Sequence, residues 1–85
     1  MSTIPVRVMV EQAWDQVTLD LPATTSVADT KVRALALTHT VGNPDDFQVK
    51  FRGAEVLDEE KSLGDSGVVA NAALIVLSRR RRPLR

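Results

Sequence analysis

Four consecutive apolar residues, Leu74-Ile75-Val76-Leu77, stand close to the end of this 85-residue chain. A strand that is apolar on both faces belongs in the middle of a sheet. The last strand of the chain must therefore insert between strands that were made earlier. In a domain this small the first strand is the neighbour it must pair with.

The other elements have to fit around it. Val6, Val8 and Val10 alternate with Arg7 and Met9, the period of a half-buried strand. Val17, Leu19 and Leu21 repeat that period, and residues 11–15 between them are few enough for a hairpin. Pro22 ends the second strand, since proline cannot extend a ladder in mid-sheet. Ser26 then caps a helix, with Asp29 as a weak substitute for the glutamate of a capping box. Val27, Ala28, Val32, Ala34 and Leu35 are expected to form its buried arc. Gly42 and Asn43-Pro44 are expected to stop it after roughly four turns. Phe47, Val49 and Phe51 predict a third strand, Gly53 a turn, and Glu55-Val56-Leu57 a short fourth strand. Leu63-Gly64-Asp65-Ser66-Gly67 reads as a tight loop whose leucine points inward.

The order is two strands, a helix, a strand, a short strand and the central strand. This predicts an α+β domain, ββαββ(β), with one helix packed across one face of a mixed sheet. The expected core is Val6, Val8, Val10, Val17, Leu19, Leu21, Val27, Leu35, Val49, Phe51, Leu63, Leu74 and Val76. Residues 1–5 are read as an N-terminal extension, 6–78 as the domain and 79–85 as a basic tail.

Several classes of function are disfavoured by the residue inventory. There is no cysteine and a single histidine, His39, so thiolate sites and histidine clusters are excluded. His39 has no evident nucleophile to serve and is expected to face solvent at the helix end. Asp45-Asp46 and Asp58-Glu59-Glu60 lack the ligand spacing of a calcium loop. No glycine-rich phosphate loop is present. No catalysis, cofactor or metal is expected. With no recognisable signal segment, the expected compartment is the cytoplasm and the expected state a monomer.

Charge is distributed unevenly. Residues 1–78 hold all eleven acidic side chains against six basic ones, a net of −5, while residues 79–85 hold five arginines. Like-charge runs of this kind mark solvated or interacting ends.

The chain resembles the ubiquitin-like β-grasp family over residues 6–79. PATTSVADTKV resembles the family's loop into its helix, with Ser26 as cap and Lys31 one turn on. FRGAEVLDEEKSL resembles its strand, glycine turn, short strand and buried leucine, with one residue extra. GVVANAALIVLSR resembles the final loop and strand, which in the family runs into an arginine-bearing tail. The resemblance implies a buried ion pair, because the lysine that Lys31 matches is held against an aspartate, at the place of Asp58 or Glu59 here. The bland alternative is a lysine stem on the core with its ammonium reaching water.

Conjugated family members and sulfur carriers end in Gly-Gly. Here Arg82 and Pro83 fall where the two glycines belong, and glycines 42, 53, 64 and 67 include no adjacent pair. Conjugation through a conventional diglycine is therefore not expected from this sequence. Bacterial ubiquitin-like proteins of type VII secretion systems are similar in size and also lack the diglycine.

What the resemblance does imply is protein binding through the open face of the sheet. Met9, Trp14, Lys50, Ile75 and Leu77 are the candidate contacts. Lys50 stands where the family has an isoleucine, which should defeat ordinary ubiquitin-binding domains. Trp14 either projects as a contact or folds back over its hairpin. Arg79, Arg80, Arg81 and Arg82 are candidate anion contacts, for a nucleic acid or an anionic membrane. The expected function is thus a non-catalytic interaction or adaptor module. The alternatives are a modifier or sulfur carrier with a missing or unconventional terminus, and anion binding by the tail.

Overall fold

A computed structural model describes residues 3–78. Strand β1 (Ile4–Val10) turns through a short 3-10 segment (Glu11–Ala13) into β2 (Asp15–Leu21). Helix α1 (Val27–Leu37) follows, then a second 3-10 turn (Pro44–Asp46), β3 (Phe47–Phe51), β4 (Ala54–Glu55) and β5 (Ala72–Ser78). The sheet order is β2-β1-β5-β3-β4, with β5 central, parallel to β1 and antiparallel to β3. This is the mixed-sheet α+β arrangement that the apolar run at residues 74–77 requires. β1 begins at Ile4, so part of the segment read as an extension belongs to the sheet.

One face of the sheet carries the core. Val6, Val8 and Val10 of β1, Leu19 and Leu21 of β2, Val49 of β3, and Leu74 and Val76 of β5 meet Val27, Ala34 and Leu35 of the helix. Phe47, Leu63 and Val68 complete it. Burying each of these side chains, the small Ala34 apart, contributes about 1.5–3 kcal/mol. Val17 and Phe51 are only half-buried. Val17 lies on the edge strand β2, and Phe51 ends β3 with its ring beneath the Arg52 guanidinium, 5.1 Å from the centroid.

The helix differs from its sequence reading in two respects. Its buried residues are Val27, Thr30, Lys31, Ala34 and Leu35, whereas Val32 is 43% exposed. It also ends at Leu37, a turn before Gly42. The Thr40 N–H donates to the Leu35 carbonyl and the His39 N–H to that of Ala36, with His39 left-handed at φ 55°. These two bonds satisfy the last carbonyls in a Schellman stop without any glycine. The Thr38 hydroxyl adds a bond to the Ala34 carbonyl, 3.0 Å away.

At the other end all the leading amides are paired. Val27 and Ala28 donate to the carbonyls of Lys61 and Glu59, and Asp29 donates to Ser26 Oγ. The Asp29 carboxylate turns to Arg33 rather than back to Ser26, so the capping box is half made.

The fourth strand is shorter and earlier than its sequence reading. Arg52 and Gly53 both have positive φ, 57° and 81°, which is the two-residue turn that suits a twisted hairpin. Phe51 therefore faces Ala54 and Lys50 faces Glu55, after which Val56 makes one more bond to Val49 and the chain leaves the sheet. Leu57 is 85% exposed.

Candidate functional site: the open face of the sheet

Alternation that sends the valines of β1 into the core sends Arg7 and Met9 to the other face. On β5 the same rule puts Leu74 and Val76 inside and Ala73, Ile75 and Leu77 outside. Strand register then arranges the outward side chains in rows. Gln16, Met9, Ile75, Lys50 and Glu55 lie side by side across all five strands. Thr18, Arg7 and Ala73 form the next row, and Gln48 stands beside Leu77. Directly paired residues point to the same face and touch.

Ile75 is the centre of this surface. It sits on the central strand, is 43% exposed, and has Met9 and Lys50 on either side in register. Leu77, half-buried, is its outward neighbour along the strand. Four of the five contacts expected from the sequence (Met9, Lys50, Ile75 and Leu77) therefore lie on one face. Glu55, opposite Lys50, was not foreseen. Its place follows from the Arg52-Gly53 turn, which pairs 51 with 54 and so 50 with 55.

Trp14 occupies the hairpin tip at the end of β1 and β2. It is 80% exposed and adopts a left-handed backbone, φ 52°, with its N–H on the Glu11 carbonyl at 3.1 Å. It does not fold back over the hairpin. A bulky residue is a costly choice at positive φ, by about 1–2 kcal/mol, where glycine or asparagine would serve. Residues retained in strained conformations often belong to working surfaces.

The lysine on the core side has a different role. Lys31 is 3% exposed, and its ammonium bonds Glu59 Oε1 at 2.6 Å and the Phe47 carbonyl at 3.0 Å. Asp58, the other candidate partner, instead accepts the Glu60 N–H in a turn. Lys31 thus ties the helix to the start of β3 and to the loop after β4.

His39, Asp45, Asp46, Asp58 and Glu60 are exposed. Among the described residues no three His, Asp or Glu side chains gather to hold a metal. Among them, too, no helix is long and apolar enough to cross a membrane. The candidate anion contacts Arg79, Arg80, Arg81 and Arg82 lie outside the described residues.

No family model and no curated protein matches the sequence. Solved structures match over the whole chain. The ubiquitin-like domain of Arabidopsis thaliana protein At2g32350 superposes with a TM-score of 0.78 at 18% identity, covering 100% of this chain and 86% of its own. The ubiquitin of Caldiarchaeum subterraneum gives 0.78 at 12% identity, covering 96% of this chain and 100% of its own. A protein designed on the basis of ubiquitin gives 0.79 at 12% identity, covering 99% of this chain and 98% of its own. At such identities the likeness is one of fold.

Proposed function

Proceeding from a ubiquitin-like β-grasp fold, we propose that this chain is a non-catalytic interaction module that docks a protein partner through the open face of its sheet. The observation that carries this reading is Ile75. A large aliphatic side chain at the middle of the central strand is left in water, with apolar neighbours in register and along the strand. Scattered exposed apolar residues are ordinary, and Val32 and Leu37 on the helix are examples. A contiguous apolar surface has the make-up of a binding hot spot, and the exposed Trp14 stands at the nearby hairpin tip of β1 and β2.

The test is a random displayed-peptide library panned against the wild-type domain. Clones that survive should lose binding to Ile75→Thr, a β-branched replacement that keeps the strand, while thermal unfolding of that variant stays close to wild type. Clones that bind Ile75→Thr and wild type equally would place any docking elsewhere.

A further inference from the structure

The two ends of the sheet differ in charge. Strand pairing brings the hairpin tip (residues 11–15), the turn Pro44–Asp46 and Ser78, the last residue of β5, to one end. Helix α1 finishes there as well, packed against that turn. Four acids stand at this end, Glu11, Asp15, Asp45 and Asp46, and all are exposed. None of the six cations of residues 1–78 joins them. Lys31 and Arg33 are paired with Glu59 and Asp29. Arg7 and Lys50 lie in mid-sheet, in register with Thr18 and Glu55. Arg52 and Lys61 belong to the opposite end, in the β3–β4 turn and beside the start of α1. Of the net −5 in residues 1–78, −4 therefore sits at this end, since the seven other acids nearly cancel the six cations. Among the described residues none of the four carboxylates is in an ion pair.

The same end holds an unfilled cleft of about 360 Å³, between Gln12 and Ala13 of the hairpin and residues 38–41 after the helix. Val41 in its wall is 86% exposed, and Trp14 stands exposed next to Ala13. The chain leaves β5 beside this cleft. Ser78 pairs with Phe47, the residue after Asp46, and Val76 pairs with Val10, the residue before Glu11. Residues 79–85, Arg-Arg-Arg-Arg-Pro-Leu-Arg, thus start with an acid on either side. The six residues from Arg79 to Leu84 reach at most about 20 Å, and the far strand β2 lies only about 10 Å across. From this complementarity we infer that residues 79–85 dock on this end of their own domain. The arginines lie against Glu11, Asp15, Asp45 and Asp46, and Leu84 enters the cleft between Ala13 and Val41. Exposed ion pairs are individually weak, but a short tether holds the segment at an effective concentration in the millimolar range. The docked segment leaves the open face of the sheet uncovered, so the inference is independent of the docking reading above. It also withholds the arginines from other anions, which must compete with four carboxylates for them.

NMR relaxation of the full chain tests this at Arg81 and Arg82. Their backbone order parameters should exceed about 0.6, below which a backbone counts as flexible. They should fall below that value in the variant Glu11→Gln, Asp15→Asn, Asp45→Asn, Asp46→Asn. Raising the ionic strength of the unaltered chain from about 0.01 M to about 1 M shortens the screening length from about 30 Å to about 3 Å. The same loss of order is expected there, which keeps the test valid should the quadruple variant not fold. Leu84→Ser should shift the amides of Ala13 and Val41 and leave those of Ala73 and Ile75 in place. Order parameters below about 0.6 in the unaltered chain at low salt, or order insensitive to salt, would each overturn the inference. So would order that disappears on dilution, which would put the segment on a second copy, or unmoved Ala13 and Val41 amides in Leu84→Ser.

Discussion

The buried pair between Lys31 and Glu59 makes a sharp quantitative prediction. In Glu59→Ala the Lys31 ammonium keeps the Phe47 carbonyl at 3.0 Å but loses the carboxylate at 2.6 Å. The lysine is 3% exposed and the glutamate 16%, so the charge left behind is largely cut off from water. Removing one partner of such a pair costs about 3–5 kcal/mol. The partial exposure of Glu59 favours the lower end. With stability of about 0.05–0.15 kcal/mol per residue, that is a large share of what a domain of this size possesses.

Urea unfolding is the assay. A slope near 1 kcal/mol per molar converts a loss of about 3 kcal/mol into a midpoint lowered by about 3 M, with the slope unchanged. The double variant Lys31→Met with Glu59→Leu should recover most of the loss, because an apolar pair has no desolvation penalty to offset. If Glu59→Ala melts within about 0.5 kcal/mol of wild type, the ammonium reaches water by another route and the tie between helix, β3 and loop is not what the geometry implies.

Ser26→Ala removes the acceptor of the Asp29 N–H and should cost about 1 kcal/mol in the same assay. Leu74→Ala, at a fully buried core position, should cost about 2–5 kcal/mol, whereas Leu57→Ala should change stability by less than about 0.5 kcal/mol. Trp14→Asn gives up an exposed ring and eases a left-handed backbone, so thermal melting should be unchanged or slightly raised. A loss above about 1 kcal/mol there would mean that the ring is packed. Gly53→Ala meets open space yet must hold φ at 81°, and should cost about 1 kcal/mol through the backbone alone.

The elements that a sequence reader can place are those dictated by burial. Residues 74–77 are apolar on both faces, and that alone puts β5 at the centre and β1 beside it. The outward positions of Arg7, Met9, Lys50, Ile75 and Leu77 then follow from alternation. Features set by local competition are harder to foresee. The helix stops at Leu37 because Thr38 bonds back to Ala34 and His39 accepts a left-handed backbone, neither of which periodicity reports. β4 starts one residue early because Arg52 joins Gly53 in the turn. Val32 faces water although it is apolar, while Thr30 and Lys31 are buried although they are polar. The Thr30 hydroxyl bonds back to the Ser26 carbonyl one turn earlier, and Lys31 finds its partners off the helix, on Glu59 and Phe47. The exposure of Trp14 depends on which atoms come near the hairpin tip, which is a tertiary matter.

The proposed function depends on the face centred on Ile75 being a contact surface. NMR cross-saturation from a library-selected peptide to the labelled domain tests this most directly. Saturation is predicted at the amides of Met9, Lys50, Ile75 and Leu77, and none at the helix residues Val32 and Leu37. Saturation concentrated on the helix, with the sheet face unaffected, would contradict it.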